Sequence, residues 1–153
     1  MAAALVLGAV TSAAAAADEK MPHFASLRVD RVNLRTGPGQ RYPIEWVYER
    51  KGLPVEVTAT FDVWRKVRDS DGTEGWVHER MLTAQRDVVV KGGLRTLRSD
   101  PDPKSAPEAR AEPGVIARLL ECRNAWCRID AHGTKGWIPR DEIWGVLPDE
   151  TVP

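Results

Sequence analysis

Residues 32 to 39 read Val32-Asn33-Leu34-Arg35-Thr36-Gly37-Pro38-Gly39, and residues 75 to 77 read Gly75-Trp76-Val77. Both segments return further along. Leu34-Arg35-Thr36-Gly37-Pro38 aligns with Leu97-Arg98-Ser99-Asp100-Pro101, Gly52 with Gly114, Trp64-Arg65-Lys66-Val67 with Trp126-Cys127-Arg128-Ile129, and Gly75-Trp76-Val77 with Gly136-Trp137-Ile138. The displacement is 63 residues at the start, 62 in the middle and 61 at the end. An order of Leu, Gly and Trp that survives while the spacing drifts by single residues marks a duplicated structural unit. Two domains are expected, at 24–85 and 88–147.

Within each unit the apolar segments are short and rich in Val, Ile, Thr and Trp. Turn residues interrupt them about every eight to twelve positions, which predicts a small all-β barrel or sandwich. Gly37-Pro38-Gly39-Gln40 suits a type II turn, with Pro fixing φ and Gly taking positive φ. Asp71-Gly72 marks a hairpin turn before the strand carrying Trp76, and Gly133 serves the second copy one residue sooner. Pro101, Pro103, Pro107 and Pro113 predict an exposed loop over residues 100 to 112. Each unit has about 60 residues, a size at which a lone core is marginal, so the two are expected to pack together across a short connection at residues 83 to 87.

The first 17 of the 153 residues carry no charge. An apolar run through Leu5, Val6, Leu7 and Val10 is followed by small residues ending at Ala17, the pattern of an export signal over residues 1–17. No Lys or Arg precedes the run, so a translation start upstream of Met1 belongs to the expectation. The run is shorter than the roughly 20 residues a spanning helix needs, so no membrane attachment is expected after cleavage. An exported, periplasmic location makes Cys122 and Cys127 a disulfide pair. The rival reading of that pair is a redox dithiol, and the spacing is not C-x-x-C.

Lys+Arg and Asp+Glu both number 22, for a formal net charge of +0. No overall field draws the chain to nucleic acid, which is not expected as a partner. His23, His78 and His132 are scattered and the two Cys are committed to each other, so neither a metal nor another cofactor is expected. No G-x-S-x-G, phosphate-cradling loop or free Cys nucleophile is present, and no catalytic residues are assigned. Asp69, Asp71 and Glu74 read as solvated turn residues.

The motifs also resemble a known family. Val32-Asn33-Leu34-Arg35-Thr36-Gly37-Pro38-Gly39, Tyr42-Pro43-Ile44, Trp64-Arg65-Lys66-Val67 and Gly75-Trp76-Val77 are similar to the bacterial SH3-like domain, with its V-N-[VL]-R-x-G-P opening and G-W-[VI] closing strand. The second copy departs at its start and resembles the family from Gly114 to Trp144. The resemblance implies two tandem five- to six-stranded barrels and a non-catalytic role in the cell envelope, with peptidoglycan or an envelope protein or peptide as partner. Gly136-Trp137-Ile138-Pro139 also looks like the G-[YF]-[IV]-P segment beside the peptide groove of eukaryotic SH3 domains, and Trp64 and Trp126 fall where those keep a groove Trp. His78, Asp141 and Glu142 depart from that pattern, which argues against P-x-x-P recognition.

Strand parity puts Trp64 on the face of Lys66 and Trp126 on the face of Arg128, away from Val67 and Ile129, so both Trp rings are candidates for exposure. Arg35, Tyr42, Trp64, Trp76, Trp126, Trp137 and Pro139 are the candidate ligand-binding residues. Tyr42 alternatively fills space beneath the Gly37–Gly39 turn. A periplasmic thiol/disulfide redox protein, an enzyme accessory subunit and a ligand-free scaffold are the alternatives to a binding adaptor.

Overall fold

The computed structural model describes residues 19–153; the expected signal segment, 1–17, lies outside them. Two seven-stranded antiparallel sheets follow one another, with no α-helix among the described residues. The first contains β1 (His23–Leu27), β2 (Val32–Arg35), β3 (Ile44–Tyr48), β4 (Pro54–Phe61), β5 (Trp64–Arg68), β6 (Glu74–His78) and β7 (Leu82–Thr83). The second contains β8 (Asp87–Val90), β9 (Arg95–Arg98), β10 (Pro107–Ala111), β11 (Ile116–Arg123), β12 (Trp126–Ala131), β13 (Thr134–Pro139) and β14 (Ile143–Trp144). Strand order is β3-β2-β6-β5-β4-β1-β7, and its counterpart is β10-β9-β13-β12-β11-β8-β14. The duplication reaches irregularities: the ladder slips between Val57 and Ala59 in β4 and between Leu119 and Glu121 in β11. A bulge of this kind bends a strand, and here it recurs 62 residues later at the same point of the barrel.

Alternation creates the strands and the core together. In β2, Val32 and Leu34 are buried while Asn33 between them is exposed. Every strand of the first sheet sends at least one side chain into a single cluster, from Leu27, Leu34 and Tyr48 to Val55, Val67, Val77 and Leu82, so the sheet curls around its own core. The second sheet does the same with Val90, Leu97, Ala111, Leu119, Ile129, Ile138 and Ile143. Full burial of each such aliphatic side chain stabilises by about 1.5–3 kcal/mol. Closure depends on a glycine in each copy. A Cβ on Gly75 would lie 2.5 Å from Leu34 Cγ, and one on Gly136 would lie 2.7 Å from Leu97 Cβ. Absence of a side chain lets β2 cross β6 at Arg35 and Trp76, and β9 cross β13 at Arg98 and Trp137.

The copies are locked differently. In the first, the buried Tyr48 hydroxyl donates to Asp69 Oδ2 at 2.9 Å, and Asp69 Oδ1 accepts the Asp71 and Thr73 N–H groups. Asp69 is therefore a buried organiser of the turn, not a solvated residue. Burial, reinforced by the Asp69 carboxylate, raises the Tyr48 phenol pKa far above its ordinary value. Ala111 and Ala131 occupy these positions in the second copy. There the lock is the Cys122–Cys127 disulfide, joining directly paired residues of β11 and β12 where the first copy pairs Thr60 with Arg65.

Two local expectations need correction. Gly39 does not take positive φ; the Gly37–Gly39 turn is instead shaped by Tyr42, whose ring fills the space that a Cβ on Gly37 would need, at 2.5 Å. Residues 107–111, expected as loop, form β10, because an edge strand accepts Pro107 at its first position. The hairpin turns follow the sequence, with positive φ at Gly72 and at the pair His132-Gly133.

The barrels pack on each other. The Asp87 N–H donates to the buried Ser26 Oγ at 3.2 Å, and the Phe24 ring meets Trp144 edge-on at 4.9 Å. Arg86 of the connection lies over Phe24 and donates to the Gly145 carbonyl at 2.8 Å. Residues 19–85 and 86–153 made separately should each melt at lower temperature than the joined chain by calorimetry, and an isolated half equal to the whole would contradict the packing. Replacing Cys122 and Cys127 by Ala should cost about 2 kcal/mol in denaturant unfolding, from the unfolded-chain entropy that a short loop closure removes.

Candidate functional site

Where the barrels meet, a cleft of about 930 Å³ opens to solvent. Its aromatic and apolar wall is built by Trp126 and Pro139, direct partners across β12 and β13, with Ile143 and Trp144 of β14 and Phe24 of the first barrel. Arg68, Lys91, Asp141 and Asp149 form a charged rim. Glu56, buried at the base, pairs with Arg68 across β4 and β5 through Nε at 3.2 Å and through Nη2. A concave apolar surface with a few polar groups around it is the usual form of a ligand site.

The chain beyond β14 supplies the remaining wall. Arg140 donates from Nη1 to the Leu147 and Glu150 carbonyls at 3.0 and 2.7 Å, and from Nε and Nη2 to the Asn124 carbonyl. Glu150 binds Arg86, with its Oε2 at 3.0 Å from Nη2, and accepts the Leu147 N–H at the same distance. Val152 then pairs with Cys122 through two backbone hydrogen bonds of 2.8 and 3.1 Å, seating the tail on the disulfide hairpin. Burial pushes the Glu150 carboxyl pKa up, but hydrogen bonds from Arg86 and Leu147 and the Arg86 and Arg140 charges outweigh it and hold the group below its ordinary value.

Parity was a sound guide to side but not to exposure. No Trp belongs to either core cluster. Yet Trp64, expected to be exposed, is only 9% accessible, because His78 meets it edge-on at 5.5 Å and neighbouring side chains enclose it. Trp126 is half-buried in the cleft. Trp137 is buried beneath the Arg123 guanidinium, 4.7 Å from its ring, and Trp76 lies half-buried between Lys66 and Arg35 on neighbouring strands. Tyr42 packs on its own turn, and Arg35 holds that turn by donating to the Gln40 and Tyr42 carbonyls. Of the seven candidates, only Trp126 and Pro139 meet in the cleft between the barrels, whereas Arg35 and Trp64 share a separate hollow. Phe24, Trp144 and Arg140 went unnoticed in the sequence; the only signal was their apolar or cationic character near predicted domain ends.

Duplicated antiparallel barrels of this strand order define a tandem SH3-like protein. The bacterial SH3 domain model matches residues 28–83 and again 91–145, and the chain belongs to that family. The Bacillus subtilis (strain 168) protein named "Putative N-acetylmuramoyl-L-alanine amidase YrvJ" is 26% identical in an alignment 130 residues long that covers 78% of this chain. This chain spans 25% of that relative's length. Among solved structures, NlpC1 from Trichomonas vaginalis aligns over 89% of this chain and 51% of its own, with 13% identity and a TM-score of 0.39. An NlpC/P60 family protein from Bacillus cereus ATCC 10987 aligns over 85% and 58%, with 17% identity and a TM-score of 0.36.

The lowered Glu150 pKa makes the tail pH-sensitive in a defined direction. A carboxylate whose pKa is depressed on folding stabilises above its unfolded pKa, and the contribution is lost as pH falls through the folded value. Hydrogen-exchange protection of the Val152 and Cys122 amides should therefore drop on acidification. Glu150→Gln should show the drop already at neutral pH, and protection indifferent to both changes would exclude the latch.

Proposed function

We propose that this protein is an exported, non-catalytic adaptor of the cell envelope that binds peptidoglycan through the cleft between its barrels. The domains are drawn at 24–85 and 88–147, with residues 1–17 as the export signal. The carrying observation is the wall of Trp126, Pro139, Trp144 and Phe24, partly open to solvent and rimmed by charges of both signs. Indole and phenyl rings offer rigid apolar area to the flat face of a sugar ring, and the rim offers partners to its hydroxyl, amide and carboxylate groups. The name of the Bacillus subtilis relative, an amidase of N-acetylmuramoyl-L-alanine, supports a cell-wall ligand. Its activity is not assigned to this chain, which matches a quarter of that protein.

A redox role for Cys122 and Cys127 is disfavoured by their accessibilities of 1% and 0% and by the tail strand seated on Cys122. Both sulfurs lie away from any attacking thiolate. An envelope protein as ligand would use the same cleft and is separated by the following experiment.

Purified sacculi should retain the wild-type chain in a co-sedimentation assay. Trp126→Ala and Trp144→Ala should each reduce retention at least about tenfold, the loss typical of a buried aromatic anchor. Trp46→Ala, on the exposed edge strand β3, should not reduce it. Absence of retention, or retention that survives both cleft changes, would remove the proposal.

A further inference from the structure

We infer that the first barrel carries a second, separate site: a pocket for an oxyanion, the carboxylate or phosphate group of a ligand. A hollow of about 320 Å³ is lined by Arg31, Asn33, Arg35, His78 and Arg80, with Trp64 as a wall and no carboxylate in its lining among the described residues. The chain directs these groups outward for a simple reason. Val32 and Leu34 are buried in the core, so Arg31, Asn33 and Arg35, alternating with them on β2 and just before it, face the other way.

The donors are both positioned and available. Arg35 Nη1 donates to the Gln40 and Tyr42 carbonyls at 3.1 and 2.9 Å, which fixes the guanidinium, and its other N–H groups make no hydrogen bond among the described residues. His78 Nδ1 accepts the Arg80 backbone N–H at 3.1 Å, so the ring proton stands on Nε2 as a further donor. Arg31 and Arg80 are exposed and form no ion pair among the described residues, where five other Arg side chains do. In a chain whose charges sum to zero, three guanidiniums around one hollow are a local excess whose mutual repulsion a bound anion would relieve. Arg binds carboxylate and phosphate oxygens in paired, directional hydrogen bonds, so the geometry selects an oxyanion over a halide.

The second barrel is an internal control. It keeps Arg98 and Trp126 at the positions of Arg35 and Trp64, and Arg98 donates to the Ser105 carbonyl as Arg35 does to that of Tyr42. Leu94, Thr96, Pro139 and Asp141 replace Arg31, Asn33, His78 and Arg80. The same strand order forms with these residues, so folding does not require the cationic set. This site stands apart from the cleft between the barrels and does not depend on a cell-wall ligand there.

Nuclear magnetic resonance of the full chain tests it, following the Trp64 indole N–H and the His78 ring. The probes are N-acetyl-alanyl-alanine, its carboxamide, and glycerol phosphate. A saturable shift with the free carboxylate or with the phosphate is expected, and the stronger of the two identifies the source. The carboxamide should bind at least tenfold more weakly. Arg31→Leu combined with Arg80→Asp, which installs the residues of the second barrel, should weaken binding at least tenfold without lowering the melting temperature. Arg80→Ala alone serves if the double variant does not fold, and should weaken binding as well. Equal binding of the carboxamide, unchanged affinity in the folded variants, or no saturable shift with either anion would overturn the inference.

Discussion

Each barrel hangs on one close approach: the strand bearing Gly-Trp-Val or Gly-Trp-Ile passes over the Leu of the opening strand with no room for a side chain between. At Gly75 the space belongs to Leu34, and at Gly136 to Leu97. Because those leucines are fully buried and central to their clusters, the glycine lets the sheet fold over them and seal the core. The adjacent Trp then falls on the outer face. Closure therefore decides which aromatics are left outside for other uses.

What the outer aromatics do depends on what surrounds them, and in this respect the copies have parted. Trp64 and Trp126 occupy the same place in their barrels, opposite His78 and Pro139. In the first barrel the neighbours are guanidiniums and an imidazole; in the second they are Asn124, Ala125 and the apolar junction with its neighbour. The internal locks diverge too, a buried phenol and carboxylate in one copy and a covalent bond in the other. The two ties sit at different places, from β3 to the β5–β6 turn in one barrel and across the β11–β12 hairpin in the other, around aliphatic cores built from the same strands.

The cleft exists because the barrels are not independent. Ser26 and Asp87, Phe24 and Trp144, and the Arg86 bridge to the tail hold them in contact, and the tail returns over the hairpin of the second barrel under the hold of Arg140. A junction of this kind places aromatic groups from chain positions 24, 126 and 144 on one wall. The Arg86–Glu150 ion pair, whose carboxyl stays below its ordinary pKa despite burial, is part of that hold.

The sequence by itself determined the all-β class, the duplication, the hairpin turns at Gly72 and Gly133, the disulfide and the side of the sheet that Trp64 and Trp126 occupy. All of these follow from near-neighbour spacing: alternation, turn stereochemistry and the repeat offset act over a few residues or copy a known pattern. Only the tertiary structure decided which Trp is covered, that Pro107 opens an edge strand, that Asp69 is buried beneath Tyr48, and that Phe24, Trp144 and Arg140 share a cleft with Trp126. Those outcomes depend on contacts between residues far apart in the chain, whose distances are set when the curled sheets dock, and no local pattern of residues encodes that distance.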